Sequence, residues 1–173
     1  PERGSGYKNR GFVVDKMGDA RASGADYDRA IELDPTFAAG YNNRGMSKTK
    51  LGDYEGAFAD YDQALFIDPG CREAYFNRGC TKQAVGNYKS AIGDFDAAIS
   101  IDPKWPHIYF SRGVAKFNVG DYAGAMADYA QAARVGQENE VCQKQARHSR
   151  PRYRRWFSRC MTPAYGVGEG GVH

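Results

Sequence analysis

Four arginines, Arg10, Arg44, Arg78 and Arg112, recur at an interval of 34 residues, and each is followed sixteen residues later by an aspartate, Asp26, Asp60, Asp94 and Asp128. Guanidinium and carboxylate match in plane and spacing, so such a couple makes a bidentate, charge-assisted bond. Because the aspartate accompanies the arginine in every copy, the favoured reading is a structural pair between two elements. The alternative is a line of arginines that reads an acidic ligand. A second series, Asn9, Asn43 and Asn77 with Ser111 in the fourth place, stands one residue before the arginines. An Asn amide offers both a donor and an acceptor, so it can satisfy a peptide unit without reading that peptide's side chain.

Other reactive types form no constellation. His107, His148 and His173 lie far apart, and no phosphate-binding glycine loop or metal motif occurs. Cys71, Cys80, Cys142 and Cys160 have no CxxC spacing and no accompanying His cluster, which points to reduced thiols rather than zinc or a disulfide framework. Neither catalysis nor a cofactor is expected.

The elements that carry these residues follow the same beat. YKNRG at 7–11, YNNRG at 41–45, YFNRG at 75–79 and YFSRG at 109–113 are markers of one longer unit, with Gly18, Gly52, Gly86 and Gly120 and with Pro35, Pro69 and Pro103 in phase. A period of this length belongs to a solenoid, in which each repeat buries its apolar face on the next. Within a repeat, Tyr41, Gly45 and Lys48 share a helical face, and Gly52-Asp53 then interrupts. Gly52 can end the first helix in a left-handed conformation, and Asp53, like Asn87 in the third repeat, can cap the second. Tyr54, Ala57, Tyr61, Ala64 and Leu65 form the next stripe, which Asp68-Pro69 stops.

This pattern resembles the tetratricopeptide repeat over about four-fifths of the chain: an aromatic, a mid-helix Gly, a Gly-Asp turn, two Ala and a closing Pro. The resemblance implies an all-α fold, a right-handed α-α superhelix of four helix-turn-helix repeats at about 4–37, 38–71, 72–105 and 106–139. Glycine inside a helix costs about 1 kcal/mol relative to alanine. Gly45, Gly79 and Gly113 are therefore expected to face small residues of the second helix: Ala57 and Ala64, Ala91 and Ala98, and Ala125 and Ala132. Ala20, Ser23 and Gly24 should make the first repeat's second helix the softest. Gln137, in place of the closing proline, suggests that the array ends there, giving a repeat domain over 1–139. Pro1 is in phase with the first repeat, consistent with a piece of a longer array.

The family's first helices line a concave wall, and Asn at the matching place commonly holds the backbone of an extended peptide. That implies a protein-interaction scaffold with Asn9, Asn43, Asn77 and Ser111 gripping a partner, flanked by Phe12, Met46, Phe76 and Phe110 as apolar contacts. The wall grows more apolar toward the third and fourth repeats, which suits a segment with apolar anchors. The alternative for the amides is solvated Asn, or Asn tying adjacent turns together, and for the apolar side chains it is packing between repeats. Capture of chaperone C-terminal tails is not expected. The five clamp places hold Lys8, Phe12, Asn43, Glu73 and Asn77, or, one repeat on, Asn42, Met46, Asn77, His107 and Ser111, and the charges required are absent or reversed.

The 173 residues carry a net charge of +3, unevenly placed, because residues 140–173 hold seven Lys or Arg against Glu140 and Glu169. No apolar run reaches the roughly 20 residues of a membrane span, so a cytoplasmic protein is the default expectation. In RHSRPRYRRWFSRC, 147–160, a helix from Pro151 would align Tyr153, Trp156, Phe157 and Cys160 opposite Arg152, Arg154, Arg155 and Arg159. The stretch 140–161 could cap the fourth repeat, contact nucleic acid or an anionic membrane, or lack structure, and 162–173 reads as loose tail. Self-association, or service as a spacer in a longer array, is the remaining alternative to partner binding.

Overall fold

The computed structural model describes residues 2–146, except that the side chains of 2–5, 8, 12, 15, 16 and 138–146 are outside the described set. The chain divides into two units, Pro1–Gln137 and Glu138–His173. Among the described residues there are eight helices: α1 (Glu2–Met17), α2 (Ala20–Leu33), α3 (Ala38–Leu51), α4 (Tyr54–Ile67), α5 (Arg72–Ala84), α6 (Tyr88–Ile101), α7 (Pro106–Asn118) and α8 (Tyr122–Ala146). The first unit is a helical solenoid of antiparallel pairs. Within it α1 packs on α2, α3 on α4 and α5 on α6, and α2, α4 and α6 each pack on the helix that follows.

Local chemistry sets the boundaries. Gly52 ends α3 at φ 82°, a left-handed conformation that costs an L side chain about 1–2 kcal/mol. The side chains of Asp19, Asp53 and Asn87 then accept from the backbone N–H of Ala22, Gly56 and Ser90 at 3.0, 3.0 and 3.3 Å, satisfying donors that a helix start leaves open. Asp68 and Asp102, each before a proline, take extended backbone angles and close α4 and α6.

The second helix of the fourth repeat has no such stop. Where the earlier repeats have Asp-Pro, residues 136–137 are Gly-Gln, and α8 continues for 25 residues to Ala146, past the end of the first unit at Gln137. Residues 147–173 lie outside the described residues, and with them the basic stretch 147–160 and the loose tail.

The nearest neighbour of each helix glycine is an aromatic ring rather than the small residues expected, although at Gly113 the backbone O of Ala125 is also close, 3.2 Å from a Cβ built there. A Cβ built on Gly45, Gly79 or Gly113 would stand 2.8, 2.8 or 2.7 Å from the ring of Tyr61, Phe95 or Tyr129. It is the second-helix aromatic that needs the glycine, because a flat ring lies directly on the backbone. Ala64 and Ala98 instead pack toward the next repeat, beside Ala74 and Ile108. In the first repeat Ser23, standing in an alanine's place, is fully buried, and its Oγ is 2.9 Å from Ser47 Oγ.

Candidate functional site

The arginines and aspartates meet as bidentate pairs between the two helices of a repeat. In repeats two to four the Nε of Arg44, Arg78 and Arg112 donates to one carboxylate oxygen of Asp60, Asp94 and Asp128 at 2.9, 3.0 and 2.8 Å, and Nη2 donates to the other at 2.6 Å in each case. A lysine one turn on, Lys48, Lys82 or Lys116, reaches the same carboxylate at 2.9, 2.8 and 2.9 Å. Arg10 pairs with Asp26 through Nε and Nη2. Each guanidinium also lies over the tyrosine three residues before it, Tyr7, Tyr41, Tyr75 or Tyr109.

The third guanidinium nitrogen carries the pairing across repeats. Nη1 of Arg44, Arg78 and Arg112 donates to Asp28, Asp62 and Asp96 of the preceding repeat at 2.7, 2.5 and 2.5 Å. These second carboxylates escaped the sequence reading, although Asp-aromatic-Asp at 26–28, 60–62 and 94–96 was a visible signal. Two carboxylates and a ring thus engage all three nitrogens of each of these arginines, the arrangement of a structural pair. The bonds to Asp60 and to Asp128 raise the pKa of Arg44 and of Arg112. At Asp128 burial disfavours the charge, but the bonds from Arg112 and Lys116 prevail and hold its carboxyl below the usual carboxylate range.

The amide series has a buried link that its spacing did not reveal. Asn42, 6% exposed, accepts at Oδ1 from Asn77 Nδ2 at 2.9 Å and donates from Nδ2 to Asn43 Oδ1 at 3.1 Å. The row Asn77–Asn42–Asn43 thus ties α5 to α3. Asn43 and Asn77 are themselves half-buried. Among the described residues no protein group takes the amino group of Asn43 or the Oδ1 of Asn77. Ser111 is half-buried, and its carbonyl accepts from Gln83 Nε2 at 3.0 Å. Asn9 is exposed.

Of the apolar contacts, Phe110 is 42% exposed with its ring 5.5 Å from that of Tyr129, and Met46 is half-buried. Phe76 is tied up in packing, its ring 5.2 Å from Trp105 and 6.0 Å from Phe95 in the third repeat's core. The Phe76 ring is half-buried between these two neighbours, whereas that of Phe110 is more open. The Phe12 side chain is outside the described set. Among the described residues no group of His, Cys, Asp and Glu is arranged for a metal ion, and no helix is long and apolar enough to cross a membrane.

Paired helices with a 34-residue register, a glycine under each second-helix ring and a Gly-Asp turn between them have a counterpart among known families. Tetratricopeptide repeat models match residues 38–71 and 73–104. The chain carries tetratricopeptide repeats. No curated protein matches it. Solved structures share the fold. A crystal structure of MamA is 20% identical, with 82% of this chain and 82% of that one covered at a TM-score of 0.74. MamA from residue 41 to its end, from Desulfovibrio magneticus RS-1, is 17% identical over 80% of this chain and 78% of that one, at a TM-score of 0.71. At these identities the likeness is one of fold. Tetratricopeptide repeats are in general non-catalytic and serve as protein-interaction scaffolds.

Proposed function

We propose that α1, α3, α5 and α7 form the docking layer of a non-catalytic scaffold, and that this layer holds an extended segment of a partner protein by its backbone. The first helices meet one another along the array, α3 with α5 and α5 with α7, whereas no comparable contact joins α2 to α4 or α4 to α6. A strip whose one layer is closer spaced curves toward that layer, which puts the first helices inside.

The observation that carries the reading is the state of the amide row. Asn42 fixes Asn43 and Asn77 in place, yet leaves one with a donor pair and the other with an acceptor. These complement the C=O and N–H of a peptide backbone, and fixed amides lose little further rotamer entropy on binding. Phe110 provides an apolar contact further along for an anchor side chain.

Peptides selected from a random display library on the intact chain test this. Two bonds of about 1 kcal/mol each predict that Asn43→Ala with Asn77→Ala weakens the selected peptides about 30-fold. Phe66→Ser, at a ring 81% exposed on the second helix α4, should leave affinity unchanged. Equal binding by the double Asn variant, with its melting curve intact, contradicts the proposal.

A further inference from the structure

Every junction between successive repeats uses the same parts. The first helix of a repeat presents a covered residue near its start, a guanidinium in the middle and a second covered residue a turn later. At α3 these are Gly40, Arg44 and Ser47; at α5, Ala74, Arg78 and Thr81; at α7, Ile108, Arg112 and Ala115, and the flanking residues are all buried. The preceding repeat's second helix lies across them and delivers its carboxylate, Asp28, Asp62 or Asp96, to Nη1.

Helix α1 repeats this design as Gly6, Arg10 and Val13, and there it is open. A Cβ on Gly6 would meet nothing within 4 Å, and Val13 is 54% exposed. The Arg10 side chain is 64% exposed, against 19%, 19% and 17% for Arg44, Arg78 and Arg112. Its Nε and Nη2 hold Asp26, while among the described residues Nη1 meets no carboxylate.

We propose that this face of α1 is an unfilled junction that receives a further tetratricopeptide hairpin of the Asp-aromatic-Asp type, whose second aspartate completes the bonding of Arg10. Two observations choose that occupant. The interface is continuous with three that already exist in the array, and the open guanidinium nitrogen asks for a carboxylate at a defined register. A second copy of this chain stacked head to tail does not supply it, because α8 has Ala130 where α2, α4 and α6 have Asp28, Asp62 and Asp96. The inference is independent of which guest the inner layer takes.

The test places a second copy of residues 35–68 directly before Pro1. Pro1 is in phase with Pro69, so the added copy enters in register and its own Asp62 faces Arg10. Hydrogen exchange of the intact and the extended chain is then compared. In a repeat array a newly covered terminal helix gains the stability of its neighbour, so exchange across 7–17 should slow by about tenfold or more. Asp62→Ala in the added copy alone should return much of that protection. Exchange in α1 that does not respond to the added repeat, or that slows equally with and without the added aspartate, overturns the proposal. So does concentration-dependent self-association of the unextended chain that Val13→Lys abolishes, which assigns the face to a second copy.

Discussion

At the scale of single residues, the ladder of charges distinguishes the first repeat from the three that follow. Asp94 is 5% exposed and bonds Arg78 and Lys82, both largely covered. Removing one partner of a buried pair leaves the other charge uncompensated, so Asp94→Ala should cost about 3–5 kcal/mol in urea unfolding. Asp26 holds an arginine that is 64% exposed, and the same change there should cost about 1 kcal/mol or less. Equal losses at the two sites would contradict the burial argument. The depressed carboxyl of Asp128 sets a pH dependence. Its contribution is complete above the unfolded value of about 3.9 and is lost as the pH falls through the lower folded value. Denaturant midpoints should therefore drop below pH 4, and by less in Asp128→Asn than in the parent chain.

At the scale of helices, glycines of one kind have opposite roles. Gly79 lies under Phe95, and Gly79→Ala forces that ring to move at a cost of about 1–3 kcal/mol. A Cβ on Gly93, in the exposed middle of α6, meets nothing within 4 Å, so Gly93→Ala should raise the thermal midpoint, with a gain of about 0.5–1 kcal/mol. A scanning calorimeter separates the two signs. Turns and helix ends were legible in the sequence because Gly-Asp and Asp-Pro act locally, through a left-handed backbone, a side-chain cap and a blocked α conformation. Which second-helix residue lies on each glycine was not legible. Tyr61 and Ala57 are both on the inward stripe of α4, and only the interhelical distance decides that the ring makes the contact. The length of α8 follows from the same local chemistry: the proline missing at Gln137 removes a stop, and nothing in Gly-Gln supplies another.

At the scale of the whole molecule, the array offers a layer of first helices whose polar row is partly used by the fold itself. The position of Asn43 and Asn77 could be read from their period. The intervening role of Asn42 could not, since it depends on α3 and α5 lying close enough for amides one repeat apart to bond. Phe76 is half-buried beside Trp105, just before α7, and whether its ring packs or meets a guest depends on that long-range contact, which spacing alone does not give. The most direct measurement is a heteronuclear NMR titration of the chain with a library-selected peptide, following the side-chain amides. The predicted result is a shift of the Asn43 and Asn77 NH2 signals with saturable dependence on peptide, while amides of the second helices, such as those of Phe66 and Ser100, stay in place. Shifts confined to the second helices, with the Asn43 and Asn77 signals unmoved at saturation, would contradict the proposed docking layer.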